Sequence, residues 1–155
     1  MVGHVVTQPR VAPLARPALT RAGKITLILL TLLGVGALAG GIALVAKPDG
    51  SVMHFDPALL AGSPFTDFLV PGLILGGLFG IGSFVVIALG LRHAPVAPFL
   101  AFAIGCGQMI WITVELAVIH ELSFLHPTFF AVGLAIALAS ARWGWPVLEG
   151  WRARR

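Results

Sequence analysis

Charge is scarce in this chain. Charged residues make up 10% of its 155 positions, against 58% hydrophobic ones. Soluble domains carry roughly 25% charged residues. A soluble chain of this length would have to hide four long apolar runs in one small core, which argues against that class. No large polar domain exists to carry a basic face. The formal charge of +4 therefore suits anionic lipid headgroups, and nucleic acid is not an expected partner. Cysteine occurs once, at Cys106, which excludes an intramolecular disulfide and thiol-pair redox chemistry. Inside an apolar run it reads as a small packing residue. Ser51, Ser63 and Ser123 lack a base at a recognisable spacing, so serine hydrolysis has no support. The glycine-rich stretches lie within apolar runs and serve packing, not phosphate binding. No internal repeat is visible, and four unrepeated spans are too few for most transporter folds in a single chain.

The few charges that are present are placed unevenly. Arg10, Arg16, Arg21 and Lys24 precede the first apolar run. Arg92 lies between the second and third, and Arg142, Arg152, Arg154 and Arg155 close the fourth. If the runs are spans, only Lys47 falls on the other side, together with Asp49, Asp56, Asp67 and Glu121. This is the positive-inside pattern, and it predicts cytoplasmic N and C termini in an inner (plasma) membrane. The first run is longer than a secretory signal core and lacks a small-x-small end, so a retained span is expected.

The expected layout is all-α: a four-helix transmembrane bundle, up-down and antiparallel. A basic tail, residues 1–24, holds Pro9, Pro13 and Pro17, whose spacing obstructs a regular helix. Spans are expected at about 25–46, 64–91, 96–119 and 127–145, within a membrane domain 25–148 followed by a basic tail 149–155. In the outer loop, Asp56-Pro57 predicts a single turn over 57–60 stopped by Gly62, and Ser63-Pro64 predicts the start of the second span. Pro71 predicts a kink or break in it. Trp143, Trp145 and Trp151 are expected as interfacial anchors.

Lipid offers no hydrophobic drive for helices to associate, so close packing must hold such a bundle. Gly72, Gly76 and Gly80 recur every four residues and share one face of the second span. Gly36 and Gly40, Ala101 and Gly105, and Gly133, Ala137 and Ala141 repeat that spacing in the other spans. These stripes predict intramolecular packing, with homodimerisation as the alternative.

The third span holds the only carboxylate and the only amide within a span, Glu115 and Gln108. They lie two turns apart on one face, with Glu115 about 10 Å nearer the outer surface. A charged side chain at helix centre costs about 2.5–3.5 kcal/mol, and less toward the surface. Two readings of the pair stand side by side. In one, Gln108 and Glu115 floor a polar pocket open to the outer face, with Trp111, His120 and Asp67 beside them. In the other, Gln108 bonds a neighbouring helix and Glu115 simply reaches the interface. His54, Asp56, Asp67, His120, Glu121 and His126 gather at the outer face, but their spacing matches no standard ligand motif. No metal and no cofactor are expected.

Lys47-Pro48-Asp49-Gly50-Ser51, Ser63-Pro64-Phe65 with Asp67, and Pro71-Gly72 are joined by Gln108-x-x-Trp111-Ile112 and His126-Pro127-x-Phe129-Phe130 with Gly133. Through these strings the chain resembles small bacterial four-span membrane proteins, and in layout it is similar to the DoxX-like four-helix membrane proteins. The resemblance covers residues 25–141 and leaves out both tails. It implies fold and location, and no catalytic residues. The expected role is non-enzymatic: an accessory or interaction subunit, or a binder of a lipid-like ligand between helices. Membrane lipids are the expected partners, joined by a membrane-protein partner or a second copy. The alternative is a membrane enzyme or redox accessory acting on a lipid or quinone, with Glu115 as proton donor or acceptor.

Overall fold

The computed structural model describes residues 19–119 and 123–153. Four of its helices are long and apolar enough to cross a membrane: α1 (Arg21–Ala46), α2 (Leu69–Leu91), α3 (Ala97–Ile119) and α4 (Leu125–Arg152). The chain is an all-α bundle. α1 packs along α2 and against α4, and α3 packs along α4. The diagonal pair α1 and α3 barely meet. Large apolar side chains such as Ile28, Leu32, Ile42, Leu78, Ile81, Ile110 and Leu138 face outward. In water such a surface is untenable, and in lipid it is the ordinary exterior.

Each helix boundary has a local cause. Thr20 accepts the Gly23 N–H at 3.2 Å and caps α1, so the helix takes in Arg21 and Lys24. Lys47-Pro48 ends it, because Pro48 lacks the N–H that the next turn needs. Asp56 accepts the Ala58 N–H at 2.8 Å and opens a 3-10 turn, Pro57–Leu60, in the long loop. The second span starts later than Ser63-Pro64 suggests. The Asp67 carboxylate accepts the Leu69 N–H at 2.9 Å, and the helix begins there. Pro71 consequently sits in the first turn, where no carbonyl of a preceding turn is lost, and it does not break the span. The irregularity falls further on, as a π-helical stretch over Ile74–Ile81. Gly76, Gly77, Gly80 and Gly82 put no side chain against those widened turns. α4 also exceeds its expected length at both ends, starting at Leu125 and running through Pro146 to Arg152.

The glycines bring backbones into contact at two crossings. A Cβ on Gly41 would lie 2.5 Å from Gly76 Cα and 2.8 Å from Gly72 O, so α1 and α2 touch there. A Cβ on Gly105 would lie 2.7 Å from Gly133 O, and one on Gly133 would lie 2.9 Å from Gly105 O. Gly80 receives the side chain of Leu38. Gly36 and Gly40 meet side chains only, Phe129 and Leu75. On α1 the residue that meets the α2 backbone is thus Gly41, one position beyond the Gly36–Gly40 pair.

The bundle is solid at the end bearing Arg21, Arg92 and Arg152. Leu27, Leu30, Val86, Ala97, Ala101 and Trp143 form its core there. Trp143 is 1% exposed and fills the space left by Gly23 and Gly90. It is a core plug and not an interfacial anchor, because a tryptophan facing two glycines can bury its whole ring. Trp145 and Trp151 remain exposed, with Trp145 Nε1 donating to Glu149 at 2.8 Å and Trp151 stacked on Phe99.

Candidate functional site

At the opposite end the helices part. The Gly82–Leu91 part of α2 packs on α3, whereas its first turns, Leu69–Leu73, do not approach α3. The loop between α1 and α2 crosses this wedge, and its Pro57–Leu60 turn reaches α3. Apolar anchors hold the loop down: Leu44, Leu60 and Phe68 form a buried cluster, and Phe55 packs on Phe68 at 5.7 Å. At the neck, Phe68 N–H donates to Pro48 O at 2.9 Å. Gly50 there has φ 79, and a Cβ on it would sit 2.6 Å from Phe55 O, so only glycine fits.

Beneath this roof lies a cavity of about 460 Å³, within the size range of small-molecule sites. Most of its wall is apolar, with Leu33, Ala37, Leu44, Phe68 and Leu75 among its lining residues. The polar groups come from α3, the start of α4 and the loop: Gln108, Glu115, Ser123, His126 and His54. Gln108 is 2% exposed and lies deepest along α3. Glu115 is half-buried two turns nearer the loop. Trp111 stands between them on the same side and packs on Phe79 at 6.0 Å. Gly36 and Gly40 also line this space, which explains why they meet no backbone.

His126 completes the polar wall. Its Nδ1 accepts the Ser123 N–H at 3.0 Å, which orients the ring from the first turn of α4. The ring is buried and lines the same cavity as Glu115. The sequence suggests His126 only as a rim residue. Helix α4 starts two residues before Pro127, so His126 belongs to its first turn.

Of the residues singled out in the sequence, Gln108, Trp111 and Glu115 come together on the cavity. Asp67 does not: its carboxylate is committed to the Leu69 N–H, and the residue is not part of the lining. His120 lies outside the described residues. Among the described residues, no three of His, Cys, Asp and Glu converge as metal ligands, and no lysine or arginine lines the cavity. Comparison with protein-family models, curated proteins and solved structures finds no match.

Proposed function

We propose that this protein binds a lipid-like ligand in the cavity beneath its long loop, as a non-enzymatic protein of the inner (plasma) membrane with both ends in the cytoplasm. One observation carries the reading: a roofed, mostly apolar cavity that reaches two intramembrane polar side chains, Gln108 and Glu115. An acid inside a span is costly, and its position on a cavity wall gives that cost a use. Orientation is supported by charge. Arg21, Lys24, Arg92, Arg142 and Arg152 belong to the solid end and Lys47 to the loop end, which points the cavity outward. A C-terminal reporter fusion is expected to read as cytoplasmic. A periplasmic reading would invert the layout.

Surrounding lipids are the other expected partners. An accessory role, with a membrane-protein partner or a second copy, has less support. Gly41, Gly72, Gly76, Gly105 and Gly133, which would drive association between chains, are occupied within this one. The presence of Glu115 and His126 on one cavity wall favours one further reading, a lipid- or quinone-directed enzyme with Glu115 as proton donor or acceptor. Glu115→Gln separates the two. Simple binding predicts ligand affinity within about tenfold of the parent, since the amide keeps shape and hydrogen bonding. Proton transfer at this carboxyl predicts intact binding with turnover abolished.

A further inference from the structure

Gln108 Oε1 is the one buried side-chain polar atom without a hydrogen-bond partner among the described residues. Other buried polar side chains close their bonds at home. Thr26 Oγ1 donates to Ala22 O at 2.9 Å, Ser83 Oγ to Phe79 O at 2.6 Å, and Ser140 Oγ to Ala137 O at 3.0 Å. A hydroxyl on a helix can always reach back to its own backbone. A carboxamide on a longer stem needs a partner from elsewhere, and the α4 residue against its Cβ and Cγ, Gly133, has no side chain to offer one. The nearest open space from which a donor can arrive is the cavity that Gln108 lines. The last torsion of the amide is soft, so the carboxamide can turn its oxygen toward that space.

We propose that the cavity selects an uncharged amphiphile with a hydroxyl group, inserted hydroxyl-first so that its O–H donates to Gln108 Oε1. This rests on the cavity being a ligand site. Three features choose this chemistry. The orphan atom is an acceptor, so the ligand must supply a donor. Among the described residues no lysine or arginine lines the cavity, and the Glu115 carboxyl stands on the route in, so a carboxylate or phosphate head meets a second acid and only the His54 and His126 imidazoles. An ammonium would find Glu115, but carrying it two turns deeper to Gln108 costs far more than carrying a hydroxyl. The hydrocarbon body then lies along Ala37, Leu44 and Leu75 beneath the loop.

The test uses the full chain in detergent with a bromine-labelled long-chain alcohol and its methyl ether, read by tryptophan quenching. Trp111 is the tryptophan at the cavity, and Trp111→Phe identifies its share of the signal. The expected result is saturable quenching by the alcohol, about tenfold tighter than by the ether, the loss that follows when a buried acceptor is left unmet. Gln108→Met should bind both probes with the affinity of the ether. Equal affinity of alcohol and ether for the parent protein overturns the proposal without needing any variant to fold. So does tighter binding of the matching fatty acid or amine. If no probe binds saturably, the ligand-site reading falls with it.

Discussion

Gly41→Ile is expected to destabilise the detergent-solubilised protein by about 3 kcal/mol, the upper end of what overpacking costs. The magnitude follows from what the new side chain would meet. Even a Cβ there lies 2.5 Å from Gly76 Cα and N, and these are backbone atoms that have no rotamer to change. Relief requires α1 and α2 to separate, which forfeits the dispersion contacts along their whole crossing. Gly77→Ala is the internal contrast. Nothing lies within 4 Å of a Cβ at Gly77, so the change should be neutral or stabilising by up to about 1 kcal/mol. Thermal unfolding of the two variants side by side checks both. Equal stability would show that the Gly41–Gly76 crossing does not hold the bundle.

Gly36→Leu is expected to separate stability from binding. Gly36 faces the cavity, where a Cβ would meet only Phe129 Cζ at 3.8 Å, an ordinary contact. The leucine side chain therefore enters open space. It replaces glycine in a helix, which favours folding by up to about 1 kcal/mol. A ligand in that space must give way, with a loss of about a hundredfold in affinity if the clash costs ~3 kcal/mol. Equal affinity would place the ligand elsewhere on the bundle. Lower stability would show that the space at Gly36 is already filled.

The contrast between Gly36 and Gly41 also shows what a sequence of this kind makes legible. Four spans are readable because about 20 apolar residues in a row have few other uses. The face each helix turns inward is not, since both lipid and protein interior are apolar and hydropathy cannot tell them apart. The four-residue spacing on α2 picks out Gly72 and Gly76, and the structure places α1 against both. On α1 the same spacing picks Gly36 and Gly40, which turn to the cavity, while the crossing falls on Gly41. Polar residues are easier to read, because each must justify its burial. Gln108 and Glu115 share a face by simple helical geometry, and Trp111 falls between them. The roof is what local patterns miss. Leu60 and Phe68 look like ordinary loop residues until their burial with Leu44 closes the wedge. Asp67 misleads for a related reason, because its carboxylate serves the adjacent backbone before it can serve a ligand.

The α-helix gives way to a π stretch where α2 borders this wedge, over Ile74–Ile81, with Leu75 on the cavity and Phe79 against Trp111. The stretch lies between the first turns of α2, which do not approach α3, and the Gly82–Leu91 part, which packs on it.

The most direct test of the ligand cavity is native mass spectrometry of the protein released from its own membrane, comparing the parent chain with Gly36→Leu. The account predicts a parent chain that retains one discrete amphiphile per protomer and a folded variant that retains none. A parent chain that emerges empty, or a variant that carries the same bound mass, would contradict it.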